Sequence, residues 1–285
     1  MEICAISDIH HPYNDDNLNR AIEQMHRCDV VVIAGDVSSY PLKYKRVLDR
    51  FKGVDAVKLA VLGNHDVYCS DGEDSYERIG ELEKICDSCG FHLLDKSPVV
   101  VGDVGFVGNM GWYDYQFAQK DSDEVIFGVR GSRIYEIRVR DMDDFDFSHK
   151  HYFFRGSDSR DYSAIWNDIR FVKWRFSDRE FLDTQVQRLK QDIEVVSPKV
   201  DKLVYVSHHV PIKEFIYEKP EDIQWSVFNA YQGSPELSKA AFSDLKLRAV
   251  ICGHSHIPNY VRINNVDCHD VSNSFGKLQP VFLSV

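Results

Sequence analysis

Five short polar strings constrain this chain more than any other feature: Asp8-Ile9-His10, Gly35-Asp36, Gly63-Asn64-His65-Asp66, Ser207-His208-His209 and Gly253-His254-Ser255-His256. Each follows on an apolar, largely β-branched run, at residues 2–7, 30–34, 57–62, 203–206 and 249–252. Short runs of this kind, bounded by glycine or polar residues, read as buried strands. Ligand-type side chains at strand exits converge on one edge of a sheet, where α/β proteins place their sites. The strings supply carboxylate, amide and imidazole groups and no thiolate. Hard oxygen and borderline imidazole donors suit Mn, Fe or Zn ions.

The order and spelling of these strings resemble the calcineurin-like metallophosphoesterase superfamily. Its pattern runs Asp-x-His, Gly-Asp, Gly-Asn-His-(Asp/Glu), a lone His, and Gly-His-x-His, and every block has a counterpart between residues 8 and 256. A single Asp-x-His would mean little. Gly-Asn-His-Asp and Gly-His-Ser-His together, in order and each after a strand, are specific. The resemblance implies an α/β fold of two packed mixed β-sheets flanked by helices, a four-layer sandwich. It also implies two divalent ions about 3.5–4 Å apart, bridged by Asp36. Asp8, His10 and His256 would complete the ligands of one ion, and Asn64, His208 and His254 those of the other. His65 has no metal duty in the superfamily. The resemblance makes it the proton donor to the leaving alkoxide, with Asp66 a candidate to orient it. The reaction so implied is hydrolysis of a phosphate mono- or diester by attack of metal-bound hydroxide, with Asp36 and His65 as its catalytic residues and no covalent enzyme intermediate.

Local chemistry agrees with that assignment. In extended backbone the two histidines of Gly-His-Ser-His fall on one side of the chain, each able to reach a different ion. Asn64 and the imidazoles are neutral ligands, so the site keeps a surplus of roughly one positive charge that attracts phosphate without trapping it. Gly35, Gly63 and Gly253 each precede a ligand, where a tight turn needs a permissive backbone. His10 fits Asp-x-His, which leaves its neighbour His11 as a substrate contact or a bystander. His208 matches the lone histidine, leaving His209 to touch substrate or to pack. Trp112 and Tyr113 sit in an aromatic cluster that forms core or lines a substrate cleft.

Between residues 1 and 108 strands alternate with helices at 17–28, 41–51 and 75–89, a βαβ rhythm that implies right-handed crossovers in a largely parallel sheet. Apolar runs at 99–101 and 104–107 suggest a hairpin. Residues 109–176 break the rhythm, carry none of the polar strings and read as an insert near the active-site cleft of one domain spanning 1–285. Ser177 and Glu180 make a capping box for a helix over 177–196, and strands near 259–263 and 280–284 complete the sheet.

No run of 18 apolar residues exists, which excludes a membrane-spanning helix by length. The chain opens directly on a strand, and its seven cysteines are scattered and odd in number. Both features fit a cytoplasmic location. Cys86-Asp87-Ser88-Cys89 has no second Cys-x-x-Cys to complete a zinc site and reads as free thiols. A net charge of −11 disfavours broad nucleic-acid binding, which rests on phosphate neutralisation. A phosphodiesterase acting on nucleic acid and a non-catalytic scaffold of the same fold are the competing functions. The scaffold should lack ligands, and here none is missing.

Overall fold

The computed structural model describes residues 1–12, 15–118, 125–130, 133–138, 151–155, 161–218, 223–274 and 277–285. The first half contributes β1 (Glu2–Ile6), α1 (Asp15–Met25), β2 (Val30–Ala34), α2 (Pro41–Asp49), β3 (Val57–Val61), α3 (Ser75–Ser88), β4 (Phe91–Leu93), β5 (Val99–Val101) and β6 (Val104–Asn109). The expected insert contains β7 (Val125–Arg130), β8 (Arg133–Arg138), β9 (His151–Arg155), β10 (Asp161–Ile165) and α4 (Asp168–Phe171). The remainder supplies α5 (Asp178–Val196), β11 (Lys202–Ser207), α6 (Ile223–Asn229), α7 (Pro235–Ala241), β12 (Leu247–Cys252), β13 (Asn259–Ile263), β14 (Val266–Asp270) and β15 (Val281–Ser284).

Two mixed sheets form the frame. One has the order β15-β1-β2-β3-β4, the other β13-β14-β12-β11-β6-β5. β1, β2, β3 and β4 run parallel, as do β6, β11, β12 and β14, while β15, β13 and β5 pair antiparallel at the margins. Alternation along the strands shows how the layers stack. Ile3 and Ala5 of β1 join Val32, Val61, Phe106, Val204 and Ile251 in a cluster between the sheets. Cys4 and Ile6, on the opposite face, pack with α1, α2 and α3 through Leu18, Val47 and Leu82. Strands buried on both faces read as unbroken apolar runs, which is why they stand out in the sequence.

Helix starts follow local chemistry. Ser177 accepts from the Glu180 N–H while the Glu180 side chain returns to the Ser177 N–H, the capping box expected for α5. Pro41 opens α2 in the first turn, where its missing N–H costs nothing. Observed boundaries differ from the expected ones by a few residues, and β4, β14, α6 and α7 were not expected. Within 109–176 the described strands form a four-stranded antiparallel sheet of order β10-β9-β7-β8. Residues 119–124, 131–132, 139–150 and 156–160 of that span lie outside the described residues. Among the described residues no helix is long and apolar enough to cross a membrane.

Candidate metal centre

The polar strings leave the C-terminal ends of β1, β2, β3, β11 and β12, the central parallel strands of the two sheets. The sheets are tied together there. His254 N donates to Asp8 Oδ2 at 3.1 Å, His208 Nδ1 lies 2.8 Å from the Ala34 carbonyl, and Asn273 Nδ2 donates to the Ser7 carbonyl at 2.8 Å. Asp95 joins the strand exits from below, accepting from Leu62 N at 2.9 Å and Met110 N at 2.7 Å.

The fold brings Asp8, His10, Asp36, Asn64, His65, His208, His254 and His256 to one place. Three overlapping groups have donor atoms within 4.8 Å of one another: Asp8 with His10 and His256, His10 with Asp36 and His65, and Asp36 with His208 and His254. Asp36 belongs to two of them. Its Oδ2 lies 3.5 Å from His10 Nε2 and its Oδ1 lies 3.4 Å from His208 Nε2.

Proton bookkeeping at the imidazoles is informative. His208 Nδ1 lies 2.8 Å from the Ala34 carbonyl, His256 Nδ1 2.9 Å from the Asn273 carbonyl, and His254 Nε2 3.2 Å from the Tyr231 carbonyl. A carbonyl only accepts, so each of these nitrogens carries the proton. The opposite nitrogen of each neutral ring then presents a lone pair inwards. His208 Nε2 faces Asn64 Oδ1 at 3.2 Å and His254 Nδ1 at 3.1 Å as well as the Asp36 carboxylate. His256 Nε2 faces Asp8 Oδ1 at 3.6 Å, and that buried oxygen has no hydrogen-bond partner among the described residues. Lone pairs aimed at lone pairs repel, and a cation between them removes the conflict. Ligating histidines commonly anchor their outer N–H on a carbonyl in this way.

Electrostatics follow. Burial opposes charge on Asp36, but His208, His65 and His10 around it hold its carboxyl well below the ordinary range. Burial opposes charge on His208 too, yet the Asp36 carboxylate raises it to about 10. The place between His208 Nε2 and Asp36 therefore calls for a positive charge, which a metal ion bound to the neutral ring supplies and which a proton on Nε2 supplies otherwise. Burial, reinforced by His208, pushes His254 down to about 3, and burial lowers His10. Neutral imidazole is the form that binds a metal.

Backbone strain marks the same residues. Asp8, His10, Asp36, His254 and His256 all have positive φ, between 42° and 74°. Such conformations are uncommon outside glycine and persist where surrounding structure over-determines them, often at functional sites. The neighbouring glycines divide into two kinds. Gly35 has φ +89° and needs its conformational freedom. Gly63 and Gly253 do not, and the expected turn explanation is corrected for them. A Cβ on Gly63 would meet Asp36 Oδ1 at 2.1 Å, and one on Gly253 would meet Ser7 Oγ at 2.0 Å. They are small because a ligand loop passes against them.

Asp66 does not orient His65. Its buried carboxylate accepts four backbone N–H groups, from Asp36, Val37, Ser38 and Gly63, at 2.8–3.0 Å. It shapes the Asp36 loop instead. His65 rests on the Tyr68 ring, with centroids 4.4 Å apart, and meets His10 edge-on at 4.7 Å. Both His65 and the partly exposed His11 line a cleft of about 1510 Å³ over the cluster. Trp112 and Tyr113, expected near its mouth, are 0% exposed. They pack beneath it against His209, which is equally buried with its Nδ1 3.1 Å from the Met110 carbonyl. None of the three lines the cleft. One wall is formed by Ile165, Trp166, Asn167, Arg170 and Phe171, near the end of the 109–176 span, with the half-buried indole of Trp166 stacked on Tyr231 at 5.0 Å. Asp168 and Asp95 are the residues that sequence reasoning missed. Neither stands in a motif, and no local spacing singles them out.

The calcineurin-like phosphoesterase family model matches residues 1–258. No curated protein is significantly similar to the chain in sequence. Among solved structures, a phosphopantetheinyl hydrolase from Mycobacterium tuberculosis superposes with a TM-score of 0.69 at 17% identity, covering 98% of this chain and 95% of that one. The protein TT1561 of Thermus thermophilus gives a TM-score of 0.51 at 9% identity, covering 98% and 97%. A putative 5'-nucleotidase from Staphylococcus aureus gives 0.50 at 14% identity, covering 99% of this chain and 50% of that one. These likenesses are of fold. With the matched family model spanning nearly the whole chain, this protein belongs to the calcineurin-like phosphoesterase family.

Proposed function

We propose that the protein is a phosphoesterase working with two divalent ions, held by Asp8, His10, Asp36 and His256 on one side and by Asp36, Asn64, His208 and His254 on the other. The observation that carries this reading is the convergence of inward lone pairs from His208, His254 and Asn64 on the Asp36 carboxylate, with each imidazole proton turned outwards to a carbonyl. Mn, Fe and Zn all suit this donor set. Such ions supply charge that draws in a phosphoryl group and lowers the pKa of water.

The protein's own residues do the rest. Asp36 serves both halves of the site, and Asp66 fixes its loop. His65, half-buried at the cleft floor, gives a proton to the leaving alkoxide oxygen. The cleft is larger than the 300–1,000 Å³ of ordinary ligand pockets, which suits an ester with a sizeable organic group. A phosphopantetheinyl ester belongs among the candidates because that hydrolase shares the fold over almost its whole length. The 109–176 insert, whose end forms a wall, selects among substrates. Seven free thiols support a cytoplasmic location.

The test is elemental analysis of protein purified without chelator, followed by mono- and diesters assayed with added Mn²⁺. About two ions per chain and metal-dependent release of phosphate or alcohol are expected. Sub-stoichiometric metal with no turnover of any ester would refute the reading and favour a scaffold.

A further inference from the structure

Asp168, 1% exposed, lies at the start of α4 within the insert. Its carboxylate takes four donors. Oδ1 accepts from Asn64 Nδ2 at 2.9 Å and from the Tyr68 hydroxyl at 2.7 Å. Oδ2 accepts from the Tyr113 hydroxyl and the Trp166 indole, both at 2.8 Å. A carboxylate offers about four acceptor sites, so this one is saturated.

That arrangement decides which way the Asn64 amide points. An amide has a donating and an accepting end, and Asp168 can only accept. Nδ2 must therefore face Asp168, which turns Oδ1 to within 3.2 Å of His208 Nε2 and into the converging donors. The reversed amide would press its oxygen against a carboxylate and offer the ion site an NH₂ that binds no cation. The same Asp168 oxygen holds the Tyr68 hydroxyl, and His65 lies on the Tyr68 ring. The other oxygen anchors Trp166, part of the cleft wall.

We infer that Asp168 is a positioning residue, which sets the Asn64 oxygen towards the ion site and seats the ring under His65. Ligand orientation in the frame thereby depends on a carboxylate supplied by the insert. This inference rests on Asn64 being a metal ligand, as proposed above. Losing such a supporting partner typically weakens metal affinity by 10–100-fold.

The experiment compares Asp168→Asn, Tyr113→Phe and Asn64→Ala in chelator-treated protein, with urea unfolding and Mn²⁺ calorimetry on each. Asp168→Asn should weaken one of two Mn²⁺ sites by about 10–100-fold and leave the other within about threefold. Tyr113→Phe removes a bond to Asp168 Oδ2, the oxygen that does not hold Asn64. It should lower stability yet keep both affinities. Wild-type affinities in Asp168→Asn, or equal weakening in Tyr113→Phe, would overturn the positioning role. Unchanged affinities in Asn64→Ala would instead refute the ligand assignment. A measurement on wild-type protein guards against misfolding of Asp168→Asn. The Asn64 side-chain NH₂ signals, assigned by their loss in Asn64→Ala, should resist solvent exchange with and without Zn²⁺. Exchange at the rate of a free amide would overturn the inference as well.

Discussion

Replacing Gly63 by alanine tests how tightly the site is built. Gly63 carries no positive φ, so alanine fits its backbone and the cost comes from the new methyl group alone. That carbon would lie 2.1 Å from Asp36 Oδ1, 2.5 Å from Asp36 N and 2.8 Å from Asp36 Cγ. Real Cβ contacts essentially never fall below 3.0 Å, so the carboxylate must retreat by about 0.9 Å or the loop must move. Retreat is hindered, because Oδ1 accepts from His65 N at 2.9 Å and the Asp36 N–H is held by Asp66. Overpacking of this kind costs about 1–3 kcal/mol, and a misplacement near 1 Å costs about 10²-fold in rate. Gly80→Ala is the control. Gly80 lies in α3 with nothing within 4 Å of the added carbon, so it should gain about 0.5–1 kcal/mol. Urea unfolding in EDTA reads stability, and metal analysis and ester hydrolysis read the site. A Gly63→Ala protein with wild-type stability, both ions and activity within about threefold of normal would refute the close-approach argument.

Other substitutions probe separate parts. Asp36→Asn should lose both ions together and abolish turnover, since its two oxygens face His10 and His208; retention of both ions by elemental analysis would sink the bridging assignment. His65→Ala should keep its metal but slow alkyl-ester hydrolysis by about 10²–10⁴-fold, with a smaller loss on an activated aryl ester that leaves without a proton. Equal losses on the two esters would count against His65 as the acid. Burial pushes the Asp95 carboxyl up to about 6, so the folded state holds its proton at pH values where the unfolded chain has released it. Its contribution to stability therefore falls as pH rises from about 4 to 6, and Asp95→Asn should flatten the urea midpoint over that window in chelator-treated protein. An unchanged slope would show that Asp95 does not titrate as its burial requires.

The frame was legible because its strands are buried on both faces. Val30–Ala34, buried throughout, needs no tertiary information to be seen as a strand, and the Ser177–Glu180 capping box marks the start of α5 within one turn. Elements with weaker local signals were missed. β14, Val266-Asp-Cys-His-Asp270, alternates buried with half-buried positions in a polar string. β4 has only three residues and owes its place to pairing with β3. Among the described residues the four strands within 109–176 form a sheet of their own, in a stretch whose charged and aromatic residues gave no clean period.

Legibility of the site stops at a physical boundary. Groups that present donor atoms inwards come in short strings, because a strand exit can deliver two or three side chains to one point. Groups that hold those donors in place come singly from distant positions. Asp66 is adjacent in sequence to His65, and adjacency suggested the wrong role; its four N–H partners belong to the loop it shapes. For Trp112 and Tyr113 the sequence left core and cleft lining both open, and the structure has Asp178 and Asp168 take their polar atoms at 2.8 Å in the interior. Asp95 is separated by 33 and 15 residues from the amides it joins. Asp168 reaches Asn64 across 104 residues. A carboxylate that must saturate donors from several segments cannot be encoded locally. Only the closed fold brings the carboxylate of Asp168, from the 109–176 span, onto the side-chain amide of Asn64.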